Sequence, residues 1–287
     1  MSKGEKESGS KSSEPKKAAG LVCLLFNKLN NRPWLQKVAL SILAPAWLVA
    51  SWILANFILS GILISLKHFG VEPLSLMREV VLQTVLSSLM FILTLILTVG
   101  LPFLVCKFKL TRKDLGLGSF PEWKDVGFAL LVLVLAMFST AVAIVIVGQL
   151  FPGLNLATSQ DVGFNTQMIS HRYELILAYL VLVIIGPIIE EILFRGYLFG
   201  VLRKRLSSWV TTLIVAFVFG VLHLGIGLSS ELQLNVAIDT FILSLWLGFL
   251  RSHTGSLWSS IFVHILKNGL VFFAVFVVPM TSGGAIS

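Results

Sequence analysis

Three charged residues stand close together inside an otherwise apolar stretch of the sequence. Glu190, Glu191 and Arg195 lie between Leu182-Val183-Ile184-Ile185 and Tyr197-Leu198-Phe199. An ionised side chain at the centre of a bilayer costs roughly 2.5–3.5 kcal/mol on insertion scales, so such groups are expected to pair or to line a wet cavity. The sequence therefore predicts a functional site at this position.

The helical period separates the two carboxylates. Glu191 and Arg195 are four residues apart, which places them on one helix face where they can form an ion pair. Glu190 points about 100° away from that face, so it is left free to face a cavity. Pro187, one turn earlier, removes a helical hydrogen bond and permits a kink that lets water approach the site.

Two further polar sets occur in similar apolar surroundings downstream. His223 follows Phe219 by four residues, and His264 precedes Asn268 by four. At about 1.5 Å per residue, these groups and Glu190 lie about 10–21 Å from the cytoplasmic ends of their helices, so they could converge. A carboxylate with two histidines can polarise a water or hold a metal ion, and an amide can donate to an oxyanion. The alternative is that each polar group only bonds a neighbouring helix.

Two other charged residues inside apolar segments have less specific interpretations. Lys267, next to Asn268, can either extend towards a membrane interface or pair with a carboxylate. Asp239 lies near the outer end of its predicted helix, where it can reach water. We therefore interpret Asp239 as an interfacial group and leave both alternatives for Lys267.

The composition of the 287-residue chain is that of an integral membrane protein. Hydrophobic residues make up 56%, charged residues 13%, and the mean hydropathy is +0.92, whereas about a quarter of the residues in soluble domains are charged. The net charge of +8 would suit nucleic-acid binding, but the basic residues cluster between apolar segments, as cytoplasmic loops require. We therefore expect the lipid bilayer, and no nucleic acid, as a partner.

Seven apolar segments are candidates for membrane helices, which need roughly 20 residues each. They are 38–66, 80–106, 127–151, 175–202, 209–224, 236–250 and 257–278. The predicted fold is an all-α, polytopic transmembrane bundle of about seven helices, with the catalytic core in the last four. Gly196 and Gly200 form a small-x-x-x-small pair in the fourth segment, where another helix could pack closely.

The composition along the chain predicts the domain organisation. Residues 1–20 are rich in Lys, Ser, Glu and Gly, and we expect a disordered basic tail. Residues 21–37 mix Leu, Phe and Trp with basic residues, as in an interfacial segment on an anionic leaflet, although a solvated linker fits equally. N-terminal membrane helices and loops (38–173) then precede the catalytic membrane core (174–278) and a short external tail (279–287).

The lysines and arginines are distributed unevenly between the two sides of the predicted helices. With seven spans, 17 of the 22 fall on the amino-terminal side and three on the opposite side, while Arg195 and Lys267 lie inside the membrane. By the positive-inside rule, the amino terminus is cytoplasmic and the carboxyl terminus is external.

Taken together, the three polar sets resemble the CPBP intramembrane protease family. That family includes CAAX prenyl endoproteases of the Ras-converting type and bacterial bacteriocin-processing and immunity-associated relatives. Its pattern is E-E-x-x-x-R, then F-x-x-x-H, then H-x-x-x-N, on successive membrane helices. All three motifs occur here in order, between about 175 and 278: Glu190, Glu191 and Arg195, then Phe219 and His223, then His264 and Asn268.

The resemblance implies an endopeptidase that hydrolyses a peptide bond in or near the membrane, which we expect to be a bacterial cell membrane. Its substrate would be a membrane-associated peptide or protein, with or without a prenyl group. Glu190 would activate a water held with His223, and the ion pair of Glu191 and Arg195 would support Glu190.

The resemblance also implies an oxyanion site and leaves the cofactor open. His264 and Asn268 would stabilise the oxyanion, and Phe219 is a weaker candidate for substrate binding. Zinc in a catalytic site takes three protein ligands, which here would have to be Glu190, His223 and His264. A glutamate-activated water without a metal fits the residues at least as well, because the H-E-x-x-H motif is absent.

Two functions of other classes fit parts of the sequence. A non-proteolytic membrane immunity or scaffold protein of the same fold would keep the motifs and act by binding. An ion-coupled transporter could use Glu190 and Glu191 as carriers. Such transporters are commonly built from inverted repeats with paired broken helices, and no repeat is evident in this sequence.

The charge bias makes the topology testable. In a background without Cys23 and Cys106, we expect Ser287→Cys to react with an impermeant thiol reagent added outside intact cells. Ser10→Cys should stay protected until the cells are opened. The reverse labelling pattern would contradict the predicted orientation.

Overall fold

The computed structural model describes residues 33–106, 110–157, 164, 169–225 and 232–279. Within these residues the chain is all-helical and contains no strand, which confirms the predicted fold class. The predicted tail 1–20, most of segment 21–37 and all but the first residue of tail 279–287 lie outside the described residues.

The seven long helices are α1 (Pro33–His68), α2 (Glu79–Leu95, continued by Ile96–Gly100 and Leu101–Cys106), α3 (Trp123–Leu150), α4 (Arg172–Arg203), α5 (Ser208–Leu222), α6 (Leu234–Thr254) and α7 (Trp258–Phe272, continued by Phe273–Val277).

The helices agree with the predicted segments, with one difference in length. Six of them are long and apolar enough to cross a bilayer, but α5 has only 15 residues. The predicted fifth segment, 209–224, is an apolar helix that ends earlier than expected, at Leu222. Because opposite sides for the two termini require α5 to complete a crossing, that orientation stays a prediction.

Helix α4 widens into π-helical turns on both sides of the paired carboxylates. The turns are Leu180–Ile185 and Ile192–Leu198, and the α-helical section Gly186–Glu191 lies between them. Pro187 lacks an N–H and its ring clashes with the preceding turn of a regular helix, which a wider turn accommodates. We predicted a single kink at Pro187, whereas the structure has two widened turns, a feature often found at functional sites.

The second half of α4 lies in the main hydrophobic core. Most residues of the stretch 193–202 are buried, and they pack against Ala44 and Leu48 of α1 and against Val215 and Phe219 of α5. Helices α1 and α3 instead expose many of their large apolar side chains, as helices that face lipid do. The second half of α4 is therefore packed against protein on several sides, and this position allows it to carry buried charges.

The glycine pair of α4 contacts a loop rather than a helix. A Cβ atom on Gly200 would lie 2.9 Å from the carbonyl oxygen of Asp114, and one on Gly196 would lie 3.4 Å from Leu115. Both partners belong to the connection between α2 and α3, whose described residues, 110–122, we call the α2–α3 loop. The prediction of a helix–helix contact at this pair is wrong. Small residues allow any segment of backbone to approach closely, and their spacing does not identify which segment does so.

Arg251 of α6 ties the α2–α3 loop to α4. Its Nε donates to the carbonyl oxygen of Arg195 at 3.1 Å. Its Nη2 donates to the carbonyl oxygen of Asp114 at 2.8 Å, and its Nη1 donates to the carbonyl oxygen of Gly255 at 2.6 Å. Gly116 leaves room for the guanidinium, since a Cβ there would lie 2.7 Å from Arg251 Cζ and the φ angle is +77°. Arg251 lies in the last turn of α6, where its side chain is buried and fixes the backbone beside the candidate site.

Short-range hydrogen bonds order the same loop. The backbone N–H and the hydroxyl of Thr111 each donate to Asp114 Oδ2 at 2.9 Å. These bonds hold the pKa of the Asp114 carboxyl below its usual value, because they stabilise its ionised form. They therefore stabilise the loop above the usual carboxyl pKa, and this contribution is lost as the pH falls through the lowered value.

The contact between the loop and α4 can be tested with a matched pair of glycine variants. Gly200→Val would push a side chain against the Asp114 carbonyl, and such overpacking typically costs about 1–3 kcal/mol. Gly61→Val in α1 is the control, because a Cβ there meets nothing within 4 Å. We expect a lower melting temperature in detergent for Gly200→Val only, and equal values would contradict the packing.

Candidate active site

A cavity of about 220 Å³ lies where α2, α4, α6 and α7 meet. The three polar sets of the sequence come together there, as expected from their similar depths. The polar lining consists of Glu190, His223, Thr240, His264, Lys267 and Asn268. The apolar lining includes Phe91, Val181, Leu182, Leu243, Val271, Phe272 and Phe276. The site therefore combines a few convergent polar groups with a mostly apolar wall, which is the usual form of a ligand-binding cavity.

The ion pair predicted within α4 is confirmed. Arg195 Nη1 donates to Glu191 Oε1 at 2.7 Å, and both side chains are fully buried. Arg195 Cζ also lies 4.7 Å from the centroid of the Phe219 ring, so a cation–π contact adds to the stabilisation of the guanidinium. Glu191 and Arg195 therefore neutralise each other beneath the cavity, and neither is among the residues that line it.

His264 lies between the two carboxylates. Its Nδ1 is 3.0 Å from Glu191 Oε1, and its Nε2 is 3.6 Å from Glu190 Oε2. Because an ionised carboxylate only accepts hydrogen bonds, Nδ1 carries the proton and donates to Glu191. In the neutral imidazole, Nε2 is then an acceptor that faces Glu190. His264 thus has no free N–H for an oxyanion, so its geometry does not support the donor role inferred from the sequence.

His223 is the residue directly after α5, and its ring is fixed by its own chain. Its Nδ1 lies 2.7 Å from the carbonyl oxygen of Phe219 and donates to it. The other ring nitrogen, Nε2, is left as the acceptor in the neutral ring. Since His223 lines the cavity, it can accept a hydrogen bond from a water there.

Phe219 occupies a different position from the one expected of a substrate contact. Its side chain is fully buried and does not line the cavity. Its ring centroid lies 4.5 Å from that of His223, 4.8 Å from that of Phe194 and 5.9 Å from that of His264. Phe219 therefore packs against both histidines and Arg195, and its role in substrate binding stays a prediction.

Asn268 is held by the widened part of α4. Its Nδ2 donates to the carbonyl oxygen of Leu182 at 3.0 Å. Leu182 belongs to the first π-helical turn, which frees carbonyl groups from the regular helical pattern. An amide nitrogen has two N–H groups, so Asn268 can keep this bond and still donate once into the cavity that it lines.

Lys267 has a partly buried partner that sequence reasoning did not assign. Its Nζ forms an ion pair with Asp239 Oδ2 of α6, and Asp239 Oδ1 accepts a hydrogen bond from Thr140 Oγ1 of α3 at 3.2 Å. Asp239 therefore pairs with a lysine that lines the cavity, as one of the two alternatives for Lys267 expected, and its interpretation as an interfacial group stays a prediction. The sequence feature that could have predicted this pair is the presence of opposite charges on two neighbouring apolar segments, because each charge within an apolar segment needs a partner.

The arrangement of potential ligands does not form a zinc site. Among the described residues, no group of three His, Cys, Asp or Glu side chains is placed to hold a metal ion. In both His223 and His264, Nδ1 donates to a fixed acceptor, which leaves Nε2 as the nitrogen that could bind a ligand. Whether the reaction needs a metal stays open at this point.

Comparison with known proteins confirms the resemblance over the segment that holds the site. Residues 172–270 match the model of the family described as Type II CAAX prenyl endopeptidase Rce1-like. This segment contains every candidate site residue, from Glu190 to Asn268. With its apolar helices, the match identifies an integral, multi-pass membrane protein that resembles membrane peptidases.

Two curated relatives share parts of the chain. A Bacillus subtilis (strain 168) protein named "Putative membrane peptidase YdiL" is 34% identical over 109 residues, which are 37% of this chain and 41% of that protein. An Escherichia coli protein named "Uncharacterized 24.3 kDa protein" is 28% identical over 170 residues, 58% of this chain and 72% of that protein. The match thus spans less than half of the first relative, and no solved structure matches this chain.

The two adjacent glutamates should differ in their effect on stability. Glu191→Gln leaves the buried Arg195 without its counter-charge, and breaking such a pair costs on the order of 3–5 kcal/mol. Glu190→Gln changes a partly exposed side chain outside that pair. We expect a clearly lower melting temperature in detergent for Glu191→Gln and a near-normal one for Glu190→Gln. Equal melting temperatures would contradict the assigned burial.

Proposed function

We propose that this protein is an intramembrane endopeptidase in which Glu190 is the general base. The observation that carries the proposal is the charge arrangement of the cavity. Glu190 is the carboxylate that lines the cavity. Among the described residues, no lysine or arginine lies at ion-pair distance from it, and its side chain is 21% exposed. A base must hold a proton and release it, which a carboxylate locked in an ion pair does poorly.

The proposed reaction is hydrolysis of a peptide bond by an activated water. Glu190 takes a proton from a water that also donates to His223 Nε2, while the water oxygen bonds to the peptide carbon. The electron pair of the C=O bond moves to the oxygen, which becomes a tetrahedral oxyanion. The C–N bond then breaks, and Glu190 returns its proton to the leaving amine.

Three features of the described residues support these roles. The ion pair of Glu191 with Arg195 fixes His264, whose Nε2 faces Glu190 and can accept from that carboxyl once it has taken up the proton of the water. Asn268, which lines the same cavity, has an N–H to donate to the oxyanion. Fixed donors of this kind stabilise developing charge without reorganisation during the reaction.

We further propose that the step needs no metal ion. The support is that, among the described residues, no group of three His, Cys, Asp or Glu side chains is placed to hold a metal ion. A zinc ion would need Glu190 as a ligand, which competes with its role as the base.

The substrate is proposed to be a peptide segment of a membrane-associated protein. The support is the position of the cavity among apolar helices, together with a mostly apolar lining that suits a lipid-embedded or lipid-modified peptide. The assay therefore compares an S-farnesylated peptide with the same peptide lacking the prenyl group.

Cleavage by the reconstituted protein tests the proposed function. Purified wild-type protein in liposomes is incubated with the two peptides, each internally quenched, and the products are identified by mass spectrometry. We expect wild-type protein to cleave at least one of them and Glu190→Gln to have no detectable turnover, since the base is lost. The matched control Glu72→Gln, at an exposed surface pair, should keep wild-type activity.

The outcomes separate the rival functions and the metal question. If wild-type protein cleaves neither peptide, or if Glu190→Gln stays active, the proposed mechanism is wrong and a binding protein of the same fold is favoured. Activity should survive treatment with a membrane-permeant chelator. Loss of activity that zinc restores stoichiometrically would overturn the metal-free proposal while leaving the protease assignment intact.

A further inference from the structure

The cavity contains a cation that the mechanism above does not use. Lys267 lines the same cavity as Glu190, and 13% of its side chain remains accessible. It lies on α7 three residues after His264 and one before Asn268, and all three side chains line the cavity. The rise of about 1.5 Å per residue places Lys267 about 4.5 Å along the helix axis from His264, which contacts Glu190.

Asp239 anchors the ammonium group of Lys267. One of its carboxylate oxygens pairs with Lys267 Nζ and the other accepts from Thr140 Oγ1, so both oxygens are engaged. Asp239 does not line the cavity, whereas its neighbour Thr240 does. The acid therefore anchors the ammonium group to α3 and α6 and keeps the carboxylate itself away from the substrate space.

A count of donors shows why this cation matters. The N–H of His264 is committed to Glu191, and one of the two N–H groups of Asn268 is committed to Leu182. An ammonium group has three N–H donors, and one of them suffices for Asp239. Lys267 therefore brings donors and a full positive charge to a wall of the cavity where only one amide N–H is otherwise free among the motif residues.

We propose that Lys267, oriented by Asp239, is a catalytic residue that donates a hydrogen bond to the oxyanion together with Asn268. This inference rests on the proposed endopeptidase function and adds a residue to its site. The charge is most effective because the cavity is enclosed by apolar helices, where electrostatic interactions are weakly screened. Asp239 supplies the counter-charge that allows a lysine to remain at this depth in the resting protein.

The test removes the cation without leaving a buried charge. Lys267→Met alone would strand Asp239, so the main variant is the double substitution Lys267→Met/Asp239→Asn. We expect its kcat for the cleaved quenched peptide to fall about 10²–10³-fold, as for the loss of one oxyanion donor, with KM changed less than about twofold. Lys267→Arg keeps a cation and is expected to recover most of the lost kcat.

A second measurement separates a catalytic role from a structural one. A phosphonamidate analogue of the cleaved peptide carries a tetrahedral anion, and we expect it to bind the double variant about 10²-fold more weakly than the wild type. Binding of the uncleaved peptide is measured with two inactive proteins, Glu190→Gln alone and Glu190→Gln combined with the double substitution. We expect the two affinities to be equal. Equal analogue affinities, or a double variant with wild-type kcat, would overturn the role of Lys267.

The remaining outcomes are also decisive. A loss of kcat that occurs only with peptides bearing a free terminal carboxylate, and not with their amides, would make Lys267 a carboxylate-binding residue and overturn the oxyanion role. A double variant with a strongly lowered melting temperature, together with an equally inactive Lys267→Arg, would make the pair structural. If wild-type protein cleaves neither peptide, the proposed function fails and this inference fails with it, whereas the other outcomes leave the function standing.

Discussion

The buried ion pair of Glu191 and Arg195 is the constraint on which the rest of the site depends. A lone charge in a low-dielectric interior costs several kcal/mol, so neither residue can be buried without the other. Three neighbouring residues add contacts to the pair. Phe219 covers the guanidinium, His264 donates to Glu191, and Arg251 holds the backbone of Arg195. Helix α4 has to be central, since only a helix packed on several sides can keep these charges away from lipid.

The pairing of charges around the cavity also distinguishes Glu190 from the other charged residues. The cavity is flanked by two internally neutralised pairs, one within α4 and one between α6 and α7. Glu190 meets the imidazole of His264 instead of a permanent cation, at 3.6 Å. In the proposed mechanism, Glu190 takes up and releases a proton while the paired charges around it stay fixed.

The part of the chain outside the family-matched segment also contributes to the site. The α2–α3 loop packs against Gly196 and Gly200, and Arg251 joins it to α4 beside Arg195. Helix α2 adds Phe91 to the cavity wall, and α3 reaches Asp239 through Thr140. The first half of the protein is therefore a support that fixes the geometry of the second half, rather than an independent unit.

The sequence by itself determined the features that follow from composition and helical period. It predicted the all-helical membrane fold, the approximate segments, the pairing of Glu191 with Arg195 and the free face of Glu190, because residues four apart on a helix must be neighbours. Only the tertiary structure decided the contacts between distant segments: the loop against Gly200, the burial of Arg251, and the partners of His264 and Lys267. Those contacts depend on which helix faces lie together, and a local pattern of residues does not encode that choice.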